Sequence, residues 1–240
     1  MATLLELHNV GLDYTVRHGF LRQFKHTALS GITFSIERGE TLGVLGRNGS
    51  GKSTLLQILT GLIRPSTGTI DMPSGNITRA LLTLGLGFRV DLSGEHNVLL
   101  SLALQGYSRK AARALVPKIK EFSEIEEFFY EPVRTYSAGM RARLGFATGV
   151  CSNVDLLLID EVLSVGDMEF RAKAEATMTE RLEGDQTVVF VTQMPQQVKR
   201  LCNRALWLDK GKMQELGTGE SVANSYHQAI TKQRENATSE

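Results

Sequence analysis

The sequence predicts an α/β fold whose parallel sheet is split by a helical insertion, and three observations indicate it. A continuous apolar run, Leu156–Ile159, has the length of a strand that is covered on both faces. A glycine-rich loop joins a compact β-run at residues 41–45 to apolar residues at helical spacing. Residues 95–149 favour helices, although Pro117 and Pro132 are expected to interrupt them. The chain has 240 residues, enough for one large or two small domains.

The remaining elements follow the same alternation. Residues 15–27 are mostly polar, and residues 17–26 among them are interpreted as a loop. After the insertion, the pattern predicts a helix over residues 168–182, a buried strand over 187–191 and a hairpin over 205–216. The polar tail after about Thr231 is expected to be disordered.

Composition excludes several classes of protein. A net charge of +1, from 27 basic and 26 acidic residues, excludes a surface coated with cations for nucleic acid. Two cysteines cannot form a disulfide framework, so a reduced, cytosolic compartment is expected. The first residues lack the pattern of a signal peptide, and no apolar run approaches the roughly 20 residues that a spanning helix needs.

Residues 46–53 match the pattern of a phosphate-binding loop. Glycines let the backbone wrap around phosphate oxygens, so that amide N–H groups and the following helix N-terminus face the anion. Lys52 is expected to bind the β- and γ-phosphates, and the Ser53 hydroxyl to ligate Mg²⁺. A glycine-rich surface turn is the alternative, but a strand precedes the loop and a helix follows it. The predicted nucleotide contacts are Gly46, Arg47, Asn48, Gly49, Ser50, Gly51, Lys52, Ser53 and Thr54.

Two carboxylates follow the buried run at residues 156–159. Ligands bind at the carboxyl ends of strands in open α/β sheets. Asp160 is therefore placed to hold Mg²⁺ through water, and Glu161 to polarise the water that attacks the γ-phosphate. Alone, this pattern also fits an ordinary acidic turn. The phosphate loop earlier in the sequence favours the interpretation as a metal and catalytic site.

A serine turn precedes a further helix, and its residues are Tyr136, Ser137, Ala138, Gly139 and Met140. A serine and a glycine at a helix start can form a second anion site. The alternative is a plain helix N-cap.

The order of these motifs resembles the ATPase subunits of ABC transporters. That family's turn, Leu-Ser-Gly-Gly-Gln, is replaced here by Tyr-Ser-Ala-Gly-Met, which resembles the branch that exports polysaccharides such as capsule and O-antigen. Residues 84–88, 92–97 and 162–167 are similar to further segments of that branch. The resemblance covers residues 3–230.

The resemblance implies a RecA-like P-loop ATPase core with an antiparallel β subdomain and an inserted α-helical subdomain. The ATP-binding core is expected to comprise residues 1–86 and 154–220. Residues 87–153 would form the helical signature subdomain, and residues 221–240 a C-terminal helix and polar tail.

The resemblance also implies a mechanism that uses ATP and Mg²⁺. Two copies would form a head-to-tail homodimer in which the serine turn of one copy binds the nucleotide of the other. Tyr14 would stack on adenine, unless it is an ordinary tyrosine at a strand end. The dimer would drive integral-membrane permease subunits at the cytoplasmic face of the inner membrane, exporting a lipid-linked polysaccharide, with no nucleic acid involved.

The sequence departs from the family at three places. Gln193 stands where the family carries a histidine that contacts the γ-phosphate; its amide can donate a hydrogen bond but carries no charge. Residues 77–97 lack the usual glutamine, which leaves Thr83, Asp91 and Glu95 as possible replacements. The basic stretch of residues 17–26 is either a solvated loop or a contact with lipid or glycan phosphates at the membrane.

Two alternative functions remain open from the sequence. One is a soluble ABC ATPase that is not coupled to transport, although no second ATPase domain or long coiled coil is present. The other is an ATP-gated module that hydrolyses weakly. Glu161 argues against this second alternative, and Gln193 argues mildly for it.

Overall fold

The fold is described by a computed structural model that covers residues 2–18, 22–73, 75–82, 87–160 and 167–238. The chain divides into two units. The first unit combines residues 1–77 with residues 182–240, and the second comprises residues 78–181. The functional domain boundaries that the resemblance implies stay a prediction.

Nine strands and seven α-helices lie within the described residues. In chain order they are β1 (Thr3–His18), β2 (Arg22–Glu37), β3 (Thr41–Leu45), α1 (Lys52–Leu59), β4 (Thr67–Asp71), β5 (Arg79–Leu82), α2 (Gly94–Leu104), α3 (Arg109–Ser123), α4 (Ala138–Cys151), β6 (Leu156–Ile159), α5 (Met168–Glu183), β7 (Val188–Thr192), α6 (Pro195–Leu201), β8 (Arg204–Asp209), β9 (Lys212–Thr218) and α7 (Gly219–Thr238).

Within the first unit, four strands pair in the order β7-β3-β8-β9. Strand β3 runs parallel to β7 and β8, and β9 returns antiparallel to β8. Every residue of β3 and β7 is buried, as expected for parallel strands that are covered on both faces. The predicted hairpin and the predicted buried strand after the insertion are thus confirmed.

A separate antiparallel sheet of the first unit has the strand order β2-β1-β4. Strand β4 pairs with β1 only as far as Gly11 opposite Thr67, whereas β2 pairs with β1 as far as His18 opposite Arg22. The distal half of the β1–β2 pair is therefore a ribbon of two strands. Its residues 14 and 25–27 are exposed.

The interpretation of residues 17–26 as a loop is wrong for the part that the structure describes. Residues 15–18 continue β1 and residues 22–27 begin β2. Residues 14, 15 and 25–27 are exposed, and exposed strand residues need no apolar alternation, so this part of the sequence resembles a loop. Asp13 stabilises the pairing, since it accepts a hydrogen bond from Thr27 Oγ1 at 2.7 Å and lies 3.0 Å from Lys25 Nζ.

The second unit contains the expected helical insertion. A serine caps the N-terminus of each of the helices α2, α3 and α4. In each case the serine Oγ accepts a hydrogen bond from a backbone N–H of the first turn. Strand β6 is fully buried and pairs parallel with β5, which confirms the prediction for this apolar run. The buried rings of Phe146 and Phe170 pack together with the half-buried ring of Phe122.

Pro117 does not interrupt a helix as predicted, because α3 continues through it. A proline inside a helix removes one backbone hydrogen bond and clashes with the preceding turn. Pro117 lies on the exposed side of α3, while Ala112 and Ile119 are buried. The backbone carbonyl that loses its donor can be hydrated there, so packing of the opposite face keeps the helix.

The C-terminal segment is helical further than expected. Helix α7 continues to Thr238, so the prediction of disorder after Thr231 is wrong for the described residues. Its first turns carry Val222, Ala223 and Tyr226, which are buried against the β3 and α6 region. The Tyr226 ring packs edge-on to Trp207 of β8, with centroids 5.7 Å apart. Helix nucleation is costly, and this packed start allows the polar end to extend it.

A buried ion pair fixes the turn that leads into β3. Glu40 is only 4% exposed, and its carboxylate lies 2.9 Å from Arg204 Nη1 of β8. The same carboxylate accepts the backbone N–H of Glu37 at 2.7 Å. Glu40 therefore ties the end of β2 and the start of β3 to a neighbouring strand.

We expect Arg204→Met to lower the free energy of unfolding by about 2 kcal/mol, because it leaves the Glu40 carboxylate buried without its cation. Urea unfolding followed by circular dichroism measures the change. The matched control is Arg134→Met, whose pair with Asp91 spans 3.6 Å between side chains 65% and 77% exposed. This control should cost less than about 0.5 kcal/mol. Equal losses in the two variants would contradict the assignment.

Candidate nucleotide-binding site

The loop of residues 46–51 connects the end of β3 to the start of α1. Two of its glycines, Gly49 and Gly51, have φ angles of 78° and 103°, which favour glycine over any other residue. The strand, the loop and the helix thus occur in the order that the phosphate-loop pattern requires. The first backbone N–H groups of α1 have no intrahelical acceptors and are available to an anion.

Close backbone packing holds this loop in place. A side chain on Gly46 would overlap the carbonyl oxygen of Leu208 and the hydroxyl of Ser50. A side chain on Gly51 would come within 2.8 Å of the Ala28 carbonyl oxygen. The loop is therefore pressed between β8 and β2, and only residues without a Cβ fit at these positions.

Lys52 lies across the loop rather than in solvent. Its side chain is nearly buried, with 8% exposure of the residue, and Nζ donates to the carbonyl oxygens of Gly46 at 2.7 Å and Arg47 at 2.9 Å. A buried ammonium must be paired with acceptors. These contacts hold a positive charge at the loop, where an entering phosphate would meet it.

Ser50 supplies a further feature that suits an anion. Its Oγ is buried and has no hydrogen-bond partner within the described part of the chain. Buried hydroxyls are normally hydrogen-bonded. The Ser50 O–H is therefore available to donate to an anion that binds in the loop. With Lys52 and the glycines, it makes the loop fit the phosphates of a nucleotide.

The other predicted nucleotide contacts lie within this loop or beside it. Arg47, Asn48 and Ser53 are exposed, and Thr54 is half-buried. Tyr14 of β1 is 37% exposed, and its hydroxyl lies 3.4 Å from Gln57 Oε1 of α1. This contact holds the tyrosine beside the helix that follows the loop, and its role in stacking on adenine stays a prediction.

Gln193 follows β7 at a position next to the phosphate loop. Leu45 of β3 is paired with Thr192 of β7, so Gly46 and Gln193 both continue from paired strand ends. Thr192 Oγ1 donates to Gln197 Oε1 at 2.7 Å and accepts the Met194 N–H at 3.0 Å, which fixes the turn after the strand. Gln193 itself is exposed. Its predicted contact with the γ-phosphate stays a prediction.

The acidic pair belongs to the second unit. Asp160 directly follows β6 and is half-buried. Glu161, the predicted base, lies outside the described residues, as does Thr83. Asp91 forms its ion pair with Arg134, and Glu95 lies in the first turn of α2. These contacts do not indicate which residue takes the place of the glutamine that residues 77–97 lack.

The serine turn forms the N-terminus of α4. Ser137 caps the helix, since its Oγ accepts the Met140 N–H at 3.1 Å. Ser137 and Ala138 are exposed, whereas Gly139 and Met140 are half-buried. The capping serine keeps its own O–H as a donor. The turn therefore combines the plain N-cap with an exposed helix N-terminus that an anion can reach.

Tyr136 holds this turn in place through a buried hydrogen bond. The residue is 4% exposed, and its hydroxyl donates to the carbonyl oxygen of Phe128 at 2.5 Å. Burial raises the pKa of Tyr136 to about 12. Any side chain on Gly94 would overlap the tyrosine hydroxyl. The sequence did not reveal this contact, although a glycine in the first turn of α2 was an available signal, because glycine is unfavourable in helices.

Two negative findings apply to the residues described here. No group of three or more histidine, cysteine, aspartate or glutamate residues is arranged to hold a metal ion. No helix in the same ranges is long and apolar enough to cross a membrane.

The fold and the loop define a P-loop nucleotide-binding protein, and comparisons identify its family. A family model described as "ABC transporter" matches residues 29–164. The O-antigen export system ATP-binding protein RfbB of Klebsiella pneumoniae is 39% identical over 210 residues, which are 88% of this chain and 85% of that protein. The chain therefore belongs to the ABC transporter family.

Two further relatives are longer proteins. RfbB of Myxococcus xanthus is 44% identical over 85% of this chain, and the teichoic acids export ATP-binding protein TagH of Bacillus anthracis is 39% identical over 86%. The chain spans 46% and 37% of their respective lengths.

Solved structures confirm the fold class. A dimeric ATP-binding cassette in a post-hydrolysis state with ADP and Pi has a TM-score of 0.71 at 21% identity, covering 90% of this chain and 98% of that one. The ATP-binding subunit of an ABC transporter has a TM-score of 0.72 at 21% identity, covering 93% of each chain. The fold is that of a RecA-like P-loop ATPase.

Gly46→Ala is expected to weaken nucleotide binding at least about tenfold, because the added methyl group would displace the loop from Leu208 and Ser50. Titration with a fluorescent ATP analogue measures the dissociation constant. Gly217→Ala is the matched control, since its nearest neighbour would be Val222 Cγ2 at an ordinary 3.5 Å. Unchanged affinity in Gly46→Ala would contradict the described packing.

Tyr136→Phe should lower the free energy of unfolding by about 1 kcal/mol at pH 8, because it removes the hydrogen bond to Phe128. With the folded-state pKa near 12, the unfolded chain loses the tyrosine proton first as the pH rises above about 10. Wild-type stability should therefore fall through this range, and the difference from Tyr136→Phe should shrink. Urea unfolding at pH 8 and pH 11 measures both effects. A difference that grows with pH would contradict the assignment.

Proposed function

We propose that this chain is the ATP-hydrolysing subunit of an ABC exporter that moves a lipid-linked polysaccharide or related glycan across the membrane. The observation that carries this proposal is the phosphate loop, with its buried Lys52 and unpartnered Ser50 hydroxyl, in a chain related to export proteins. Support for the substrate class comes from relatives that are described as exporting O-antigen and teichoic acids.

The loop binds the triphosphate of ATP in this proposal. Backbone N–H groups and the N-terminus of α1 surround the phosphates, Lys52 neutralises the β- and γ-phosphate oxygens, and Ser50 donates its free O–H. Ser53 and Asp160 are the residues that would hold Mg²⁺, which supplies charge neutralisation at the β- and γ-oxygens when bound.

Hydrolysis then depends on residues at two strand ends. Glu161 accepts a proton from the attacking water, which makes its oxygen a better nucleophile toward the γ-phosphate. Gln193 donates an amide hydrogen bond to the γ-phosphate, but it cannot carry the positive charge of a histidine. We therefore infer slower hydrolysis than in a relative with histidine at this position.

Assembly completes the proposed site. The exposed serine turn at residues 136–140 binds the nucleotide of a second copy, so the working unit is a head-to-tail homodimer. Permease subunits in the membrane couple closure of this dimer to glycan movement, and the chain is a peripheral subunit on the cytoplasmic side. Support comes from the family and from the dimeric cassette among the similar folds.

A second candidate is an ATP-gated module of the same family that scarcely hydrolyses ATP. The uncharged side chain of Gln193 favours it. The rate of phosphate release separates the two candidates.

Glu161→Gln should reduce phosphate release by at least about 100-fold while leaving ATP-analogue binding intact, because the amide cannot accept the proton of water. The measurement is steady-state phosphate release by the full chain. Glu169→Gln, an exposed change in the first turn of α5, is the control and should keep the wild-type rate. Equal rates in wild type and Glu161→Gln would refute the role of Glu161 and favour the weakly hydrolysing module.

Gln193→His is expected to raise the rate of phosphate release severalfold, since imidazole can carry positive charge toward the γ-phosphate. Gln196→His, three residues later on the exposed side of α6, controls for a general effect of histidine. An unchanged or lower rate in Gln193→His would contradict the assigned position.

A further inference from the structure

An arginine of α4 reaches back to the chain that enters this helix. Arg141 is the fourth residue of α4, and its Nη1 donates to the backbone carbonyl oxygen of Tyr136 at 2.7 Å in a partly buried bond. Tyr136 directly precedes Ser137, the N-cap of the helix. A hydrogen bond from a guanidinium is charge-assisted, so it is stronger than one between neutral groups. Arg141 therefore ties the helix to the residue before its cap.

Tyr136 is held at each of its polar groups. Its hydroxyl donates to the Phe128 carbonyl oxygen, and its own carbonyl oxygen accepts the bond from Arg141. Its backbone N–H donates to the Val133 carbonyl oxygen at 3.0 Å. The hydroxyl and the N–H fix where the residue lies, whereas the bond from Arg141 fixes the direction of its carbonyl.

The direction of this carbonyl determines the direction of a backbone donor in the serine turn. The peptide bond is planar and trans, so the Ser137 N–H points away from the Tyr136 carbonyl oxygen. By holding that oxygen, Arg141 also holds the plane in which the Ser137 N–H lies. The residue that follows this peptide group is exposed, and its hydroxyl caps α4. Arg141 therefore orients the part of the turn that an anion can reach.

The charge of Arg141 also lies where helices ordinarily carry acidic residues. The N-terminus of a helix has a partial positive charge, which acidic side chains offset and cations reinforce. The helices α2, α5 and α7 each have a glutamate in the first turn, whereas α4 has no acidic residue there. Arg141 adds a positive charge at the same end of α4. Both contributions favour an anion at the serine turn.

We propose that Arg141 is a positioning residue for ATP hydrolysis, which fixes the peptide group before Ser137 so that the serine turn can bind the nucleotide of a second copy. This inference rests on the proposed function. Arg141 acts through the Tyr136 carbonyl and touches neither the nucleotide nor the attacking water. Its loss should slow hydrolysis and leave ATP binding by the phosphate loop of the same copy unaffected.

The first test compares wild type with Arg141→Met in steady-state ATP hydrolysis by the full chain. Methionine keeps an apolar stem but removes the donor and the charge. We expect kcat to fall about tenfold, while the dissociation constant of a fluorescent ATP analogue stays within about twofold of wild type. Wild-type kcat, or analogue binding that weakens as much as kcat falls, would overturn the inference.

Arg181→Met is the matched control. Arg181 Nη2 donates to the Val150 carbonyl oxygen at 2.8 Å, in a partly buried bond at the opposite end of α4. The free energy of unfolding in urea should fall about equally in both variants, because each loses one bond from an arginine to a carbonyl. Only Arg141→Met should lose kcat. An equal fall of kcat in Arg181→Met would show a merely structural effect and overturn the inference.

A mixing experiment locates the defect in one copy or between copies. In a symmetric dimer each contact occurs twice, so two copies with defects on opposite sides of the contact retain one intact pair. Lys52→Ala lacks the charge of the phosphate loop but keeps its serine turn. An equimolar mixture of Lys52→Ala and Arg141→Met should therefore hydrolyse ATP at least about threefold faster than the sum of the two separate rates.

Ala138→Glu distinguishes failure of this inference from failure of the proposed function. Ala138 is the exposed first residue of α4, where a carboxylate suits the helix but repels a phosphate. Mixed with Lys52→Ala, this variant should recover hydrolysis in the same way. Recovery for Ala138→Glu but not for Arg141→Met would overturn the role of Arg141 alone. Recovery for neither would overturn the proposed head-to-tail assembly, and the role of Arg141 with it.

Discussion

The phosphate loop depends on how closely its backbone approaches the neighbouring strands. Gly46 lies against the carbonyl of Leu208, and Gly51 lies against that of Ala28, with no space for a Cβ at either place. The loop carbonyls in turn bind the Lys52 ammonium, which is why a cation can remain nearly buried there. The strands therefore position the loop, and the loop positions the charge. The ion pair of Glu40 with Arg204 stabilises the opposite end of β3, because it holds the turn from which this strand enters the sheet.

The N-termini of α1 and α4 are held in place by different interactions. The start of α1 is fixed by backbone packing of glycines, whereas the turn before α4 is fixed by the buried Tyr136 hydroxyl on Phe128. A tyrosine adds a directional bond, and Gly94 provides the space for it. The geometry of the turn is therefore set by a hydrogen bond as well as by apolar contact.

Local patterns were sufficient to predict most of the architecture. The apolar runs of β6 and β7, the hairpin of β8 and β9 and the loop between β3 and α1 each have a pattern that a short window of sequence contains. The errors concern elements whose stability comes from elsewhere. Helix α3 tolerates Pro117 because its opposite face is packed, and the outer ribbon of β1 and β2 is held by cross-strand pairing between residues that are distant in the local sequence pattern. The contacts of Tyr136 with Gly94 and of Arg204 with Glu40 join residues that are distant along the chain, and no spacing rule predicts such partners.

The ribbon of β1 and β2 extends past β4, and β2 is one of the two terminal strands of its sheet. A terminal strand exposes backbone donors and acceptors that can recruit a strand from another molecule. Lys25 lies on this strand with 66% of its side chain exposed, in an ion pair with Asp13. Addition of a foreign strand would have to strip water from that charge. Lys25 therefore opposes the pairing of a foreign strand along this part of β2.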